Sequence, residues 1–270
     1  GILSCFATLK QQSLLGDAIA HAALPGLCIA FLFTMSKSPI VLLIGAMGAG
    51  FIGTMFILTI THKSIIKEDT AMGVILSVFF GFGILLLTVI QKIPSARQSG
   101  LDNYLFGNAS SMLKSDIQLM GICCIIIVST VILLWKEFKL TTFDFSFSQS
   151  IGRPSFIFDS ILICMMVLTI IIGLQSVGVI LTSALIIAPG TAARQWTNRF
   201  SHMIFISIII CLISTITGVL ISSSTTNLPT GPTIVICLST LTLLSILFAP
   251  RGMMTKKWKQ YRNKQHIKKD

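Results

Sequence analysis

The sequence predicts an all-α protein, a bundle of helices that crosses a membrane several times. Of its 270 residues, 53% are hydrophobic and only 11% are charged, whereas ordinary soluble domains carry about 25% charged residues. The charged residues also leave six long runs without Asp, Glu, Lys or Arg: 18–36, 38–61, 70–91, 117–135, 160–193 and 200–250. Since about 20 apolar residues cross the hydrocarbon core of a bilayer, these runs predict a polytopic membrane protein.

Four of these runs are one span long, and the other two are longer. The 200–250 run holds two spans, hinged at the polar stretch 222–232. The 160–193 run is too long for one membrane-spanning helix and short for two, and the stretch GLQSVG (173–178) interrupts it. We therefore predict one full helix followed by a short or half-crossing segment, as occurs where backbone lines a polar cavity. The total is about eight membrane segments.

The domain organisation is predicted to be simple. No boundary within 1–250 would separate two domains, so this range is predicted to be one transmembrane domain and 251–270 a basic tail. The first residues, GILSCFATLKQQ, lack the basic start and the cleavage site of a signal peptide. They look like the end of an apolar helix, and we expect the chain to be N-terminally incomplete.

The distribution of positive charge assigns the segments to the two sides of the membrane. The net charge of +11 could indicate a nucleic-acid partner, but eight of the twenty basic residues lie in the tail. If that tail is cytoplasmic and the chain changes sides at each span, sixteen basic residues fall inside and four outside. This asymmetry is typical of membrane proteins. We therefore predict a cytoplasmic C-terminus held at an anionic lipid surface, and no nucleic-acid partner.

The stretch GDAIAHAALPG (16–26) places Asp17 and His21 four residues apart in an otherwise apolar segment. At this spacing both side chains lie on one helix face, and ionisable residues inside a membrane usually mark an ion or proton path. One carboxylate and one imidazole without a thiolate suit a divalent ion such as Mn, Fe or Zn. We therefore predict a metal-contacting pair, followed by a break of the helix at Pro25 and Gly26.

One other interpretation of this pair stays open on the residues alone. Asp17 and His21 could hydrogen-bond each other where the helix starts, with Asp17 as a cap beside Gly16. Two ligands hold a metal weakly, but a transported ion must leave as readily as it enters. Two copies of the chain around one axis would offer two Asp and two His to the same ion.

Catalytic signatures are missing from the sequence. It contains no GxxxxGK[ST] phosphate loop and no HExxH zinc-protease motif, so neither chemistry is expected of this chain. We predict that the protein is not an enzyme and that ATP hydrolysis, where transport needs it, takes place in a separate subunit.

GDAIAHAALPG resembles the matching segment of the membrane permeases of ABC importers for manganese, zinc or iron. Three further segments resemble that family in the expected order: QSGLDNYLFGNAS (98–110) its outer loop, SALIIAPGTAAR (183–194) its cytoplasmic coupling segment, and NLPTGP (227–232) the hinge before its last helix. The resemblance spans nearly the whole chain. It implies the type II ABC importer permease fold and a place in the bacterial plasma membrane.

The resemblance also implies roles for two sets of residues. Asp17 and His21 take the places of the pore-facing pair that contacts the transported metal. The short helix that docks on the ATP-binding subunit corresponds to Pro189, Gly190, Thr191, Ala192, Ala193 and Arg194. We expect Pro189 and Gly190 to start a new helix and Ala192 to face the cytoplasm.

The implied assembly contains two permeases, identical or different, two ATP-binding subunits and an extracytoplasmic metal-binding protein. Its implied cargo is manganese first, or else iron or zinc, with no permanently bound cofactor. Two rival functions stay open. One is an ion- or proton-coupled secondary transporter, in which two inverted halves usually carry matching broken helices. The other is a B12- or siderophore-type ABC permease, whose pore needs no ligand pair.

Overall fold

The computed structural model describes residues 1–12, 14–35, 38–92, 114–224, 228–252 and 254–255, and helices fill most of these ranges. Ten helices occur in them: α1 (Ile2–Leu9), α2 (Leu15–Thr34), α3 (Pro39–Lys63), α4 (Glu68–Gln91), α5 (Lys114–Leu133), α6 (Trp135–Phe143), α7 (Phe145–Ser150), α8 (Ser155–Arg194), α9 (Phe200–Ser224) and α10 (Thr230–Phe248). By length and composition, seven helical segments within the described ranges could cross a membrane, or eight if the bent pair Ile117–Leu133 and Trp135–Phe143 forms one span. The predicted all-α membrane bundle is confirmed.

Two compact units make up the chain. The first contains Gly1–Gln11 and Ala184–Asp270, and the second contains Gln12–Ser183. The sequence shows no boundary between them because the first unit is discontinuous, and the chain returns to it at Ala184, inside α8, without a linker. The predicted division into a membrane domain (1–250) and a tail (251–270) stays a prediction, because most of the tail lies outside the described residues.

The first unit is held together by close contacts on α9. The rings of Phe6 in α1 and Phe200 in α9 meet edge to face, with centroids 4.9 Å apart. Farther along α9, Gly218 lies against α10, where an added Cβ would come within 2.7 Å of the Ile234 Cα. Glycine thus permits the short distance between these two helices, as small residues commonly do in membrane bundles.

In the second unit, α2 is the most enclosed helix. Within the chain, 72% of its apolar stretch is buried, against 17–44% for the other six candidate spans. It packs against both α3 and α4. The contact with α3 is made by glycine backbone, since a Cβ on Gly45 would lie 2.6 Å from the carbonyl oxygen of Gly26. The helix that carries Asp17 and His21 is therefore fixed on two sides by its neighbours.

The predicted break at Pro25 and Gly26 is wrong: α2 is continuous from Leu15 to Thr34. Proline usually disrupts a helix because it lacks an N–H and its ring crowds the preceding turn. Membrane helices tolerate it where neighbouring helices compensate. Pro25 and Gly26 are both buried, and the close backbone of α3 supports α2 at this point.

The predicted break at 173–178 is present. Gly178, inside α8, has φ 83° and ψ 173°, a conformation open essentially to glycine alone. It lies at the start of Val177–Arg194, an 18-residue segment that follows the 20-residue segment Ser155–Leu174. The hydroxyl of Thr182 donates a hydrogen bond of 2.7 Å to the Gly178 carbonyl. The run 160–193 is thus one full helix followed by a shorter one.

A comparison of two glycines in α3 tests the close packing of α2 on α3. A Cβ on Gly45 would also collide with the Cβ of Ala30, whereas one on Gly48 would meet nothing within 4 Å. Both alanine substitutions gain about 1 kcal/mol of helix propensity, so their difference isolates the steric cost. We expect Gly45→Ala to be less stable than Gly48→Ala by about 1–3 kcal/mol.

The measurement is thermal unfolding of the two detergent-purified variants, followed by the loss of monodisperse protein on gel filtration. Equal midpoints for Gly45→Ala and Gly48→Ala would mean that α2 and α3 are not in backbone contact.

Candidate functional site

The burial pattern of α2 singles out two positions. From Leu15 to Cys28 every residue is buried except Asp17 and His21. Their side chains are 40% and 21% exposed, respectively. Within this stretch the two ionisable groups are therefore also the two whose side chains reach open space, which is the arrangement expected of residues that face a polar cavity.

The two side chains lie close to each other but do not form a short hydrogen bond. The Nε2 atom of His21 is 3.5 Å from the Oδ1 atom of Asp17, longer than the usual 2.7–3.2 Å of such a hydrogen bond. Asp17 does not cap α2 either, because the N-cap position is Leu14 and no side chain caps the helix there. Asp17 instead lies in the first turn, where the helix dipole favours a negative charge.

The separation of these atoms suits two ligands of one ion. Ligand atoms about 2.1 Å from a metal lie about 3.4 Å apart at a tetrahedral angle, close to the observed 3.5 Å. The described ranges contain no cluster of three or more His, Cys, Asp or Glu that could hold a metal ion. Because Pro25 has no N–H, position 25 donates no helical hydrogen bond to the His21 carbonyl. As metal ligands, the pair alone would form an incomplete coordination shell.

An aromatic side chain that sequence reasoning missed lies against His21. The ring of Phe80, in α4, meets the imidazole edge to face, with centroids 4.6 Å apart and planes at 73°. The Nδ1 atom of His21 is buried and has no hydrogen-bond partner among the described residues. No sequence signal identifies Phe80, because the stretch VFFGFG (78–83) offers three phenylalanines without showing which one faces α2.

The predicted coupling residues lie in the last two turns of α8, not in a helix of their own. Pro189 and Gly190 do not start a new helix, since α8 continues through them to Arg194. The N–H of Gly190 donates to the Ser4 hydroxyl at 2.8 Å, and a Cβ at Gly190 would collide with the Ser4 carbonyl. This part of α8 is therefore packed tightly against α1.

Most of the predicted coupling segment is buried within the first unit. Ala192 and Ala193 are fully buried, and Ala192 packs with Ile210 and Leu238. The expectation that Ala192 faces the cytoplasm is therefore wrong. Pro189 and Gly190 are buried and Thr191 is half-buried, so that Arg194 alone among the six is exposed.

Three other segments singled out in the sequence lie wholly or partly outside the described residues. They are the outer-loop stretch 98–110, the first residue of the hinge 227–232, and the tail from 256 onward. In the described part of the hinge, α10 begins at Thr230 directly after Pro229.

Comparison with known proteins now identifies the chain. Its residues 1–249 match the ABC 3 transport family. The chain belongs to this family. The family resemblance predicted from the four motifs is therefore confirmed. Membership in a family of ABC transport proteins argues against the secondary-transporter hypothesis.

Two relatives and one solved structure resemble this family member over most of its length. The manganese transport system membrane protein MntC of Bacillus subtilis is 45% identical over 257 residues, 95% of this chain and 59% of MntC. The zinc transport system membrane protein TroC of Treponema pallidum is 41% identical over 263 residues, 97% of this chain and 88% of TroC. PsaBC from Streptococcus pneumoniae, solved in complex with Fab, matches with a TM-score of 0.81 and 30% identity, covering 95% of this chain and 88% of the solved one.

Proposed function

We propose that the chain is the membrane permease of a binding-protein-dependent ABC importer for divalent metal ions, with manganese as its first cargo and iron or zinc as alternatives. The observation that carries this proposal is the pair Asp17 and His21, the two side chains from Leu15 to Cys28 that reach open space on the most enclosed helix. The names of the manganese and zinc relatives support the class of cargo.

The incomplete coordination shell fits a transported ion better than a resident one. A carboxylate and an imidazole favour Mn, Fe or Zn, but two ligands from one chain leave most of the coordination positions open. A second permease, identical or different, would supply a matching pair across the pore axis. The ion would then be held well enough to enter and weakly enough to leave. The importer therefore works as a pair of permeases.

The energy for transport comes from two separate ATP-binding subunits, and an extracytoplasmic metal-binding protein delivers the ion. The C-terminus and the end of α8 face the cytoplasm of a bacterial cell, in agreement with the positive-inside pattern. The docking surface for the ATPase begins at Arg194 and continues into the following turn, where Trp196 and Arg199 are exposed. The residues Pro189 to Ala193 lie beneath this surface and connect it to α1 and α9 by packing against them.

The test is uptake of radioactive manganese by a bacterial strain that lacks its own manganese importers. The chain is expressed with a family ATPase and a family metal-binding protein, and each partner is then left out in turn. We expect uptake only with all three components, and competition by zinc. Uptake that persists without the ATPase would indicate a secondary transporter. Uptake of cobalamin or an iron siderophore in place of the free ion would indicate the other rival.

A further inference from the structure

The orientation of the His21 ring needs an explanation that hydrogen bonds do not give. A metal-ligating histidine normally donates its second ring nitrogen to a carboxylate or a carbonyl, which fixes the ring. In His21 the second nitrogen, Nδ1, is buried without such a partner among the described residues. Rotation of a ring about its last torsion is otherwise loosely defined.

The contact with Phe80 supplies the missing constraint. A centroid distance of 4.6 Å and an interplanar angle of 73° are the edge-to-face geometry that aromatic rings prefer. Turning the imidazole out of this position would lose the contact and would move Nε2 away from Asp17, from which it is now 3.5 Å distant. The orientation that satisfies Phe80 is thus the one that directs a nitrogen toward the carboxylate.

We propose that Phe80 is a positioning residue that holds the imidazole of His21 with Nε2 toward Asp17. The proposal rests on the metal-import function proposed above and adds a determinant of specificity to it. Because imidazole suits Fe and Zn better than Mg and Ca, Phe80 contributes to selection between these ions without touching them.

The chain offers a matched control one residue away. Phe79 lies on the same helix but pairs with Phe56 of α3, at a centroid distance of 6.4 Å and a tilt of 59°. Phe79→Leu therefore removes an aromatic ring from α4 and leaves the ring against His21 in place. Phe80→Tyr keeps a ring at the tested position, whereas Phe80→Leu keeps only similar bulk.

The experiment uses the purified permease–ATPase assembly in lipid nanodiscs, with Mn²⁺ alone as the probe. Two quantities are measured for each variant: the apparent Kd for Mn²⁺, and the nitrogen coupling of bound Mn²⁺ in electron spin-echo spectra. We expect Phe80→Leu to weaken binding about tenfold, as loss of an outer partner does, and to reduce the nitrogen signal. Phe80→Tyr should restore both quantities, and Phe79→Leu should match the unmodified protein.

His21→Asp is the reference variant, because its site lacks the imidazole nitrogen. Mn²⁺ bound to this variant should show no nitrogen coupling. Unchanged affinity and unchanged nitrogen signal in Phe80→Leu would overturn the role of Phe80 while leaving the metal site in place. Equal losses in Phe79→Leu and Phe80→Leu would overturn it as well, since the effect would then come from disturbed packing of α4 and not from the ring against His21. A nitrogen signal that survives in His21→Asp would overturn the proposed site itself.

Discussion

Alanine at Asp17 or at His21 should abolish uptake of manganese and zinc, while the permease still inserts into the membrane in normal amount. Each change removes one of the two ligands proposed for each chain, so the loss should exceed the roughly 10–100-fold effect of removing an outer partner of a ligand. Folding should survive because both side chains are partly exposed, although His21→Ala also removes the imidazole that packs against Phe80 of α4.

Two matched variants separate loss of the site from loss of a charge or a ring. Asp69 and His202 are an exposed acid and an exposed histidine on other helices, and Asp69→Ala and His202→Ala should keep full uptake. Membrane amounts are compared by immunoblot, and uptake is measured with radioactive manganese and zinc. If uptake persists in both Asp17→Ala and His21→Ala at normal amounts, the two residues do not line the pore.

The sequence predicted the membrane segments well because the thickness of the bilayer sets the same length requirement for each segment separately. About 20 apolar residues are needed per crossing wherever it lies in the chain, so the uncharged runs are enough to count the spans. The break in the run 160–193 could be located for a similar reason. The break requires a backbone conformation at Gly178 that glycine can adopt, and this glycine was visible in the sequence.

Properties that depend on contacts between helices could not be predicted in this way. Pro25 is a local signal for a break, but α2 stays continuous because it is enclosed by α3 and α4. Ala192 follows a Pro-Gly pair and precedes basic residues, yet it is buried against α9 and α10. Phe80 meets His21 only because of the rotation of α4 about its axis, which its nearly uniform apolar sequence does not define.

The Asp17–His21 pair could be predicted from the sequence only in part. Its residue types and its spacing indicated metal chemistry, and the shared helix face followed from the spacing alone. The sequence did not show that these two side chains would be the open positions of an otherwise buried stretch, nor that Nδ1 of His21 would be buried without a partner. Both facts come from the packing of α3 and α4 around α2.

The burial of Ala192 changes the choice of variants that test coupling to the ATPase. A glutamate at position 192 would place an unpaired charge among Ile210 and Leu238, at a cost of about 3–5 kcal/mol. Such a variant should be lost through misfolding, so it cannot report on docking. The side chains suited to this purpose are the exposed ones at the end of α8 and in the turn after it.

We therefore expect Arg194→Glu and Trp196→Ala to insert normally but to lose the ATPase. Trp196 is 47% exposed, and truncating a tryptophan anchor of an interface typically costs about 2 kcal/mol or more, which is roughly thirtyfold in affinity. Reversing the charge of Arg194 should add repulsion wherever the partner surface is acidic. Both losses are measured by pull-down of the ATPase and by ATP hydrolysis stimulated by the metal-loaded binding protein.

Lys139→Glu is the control, since Lys139 is an exposed basic residue of α6 in the other long segment predicted to be cytoplasmic, 136–159. It should leave pull-down and stimulated hydrolysis unchanged. The opposite pattern, with Lys139→Glu losing the ATPase and Arg194→Glu and Trp196→Ala retaining it, would move the coupling surface to 136–159. The end of α8 would then be an ordinary turn, and its tight packing on α1 through Gly190 and Ser4 would serve only the stability of the first unit.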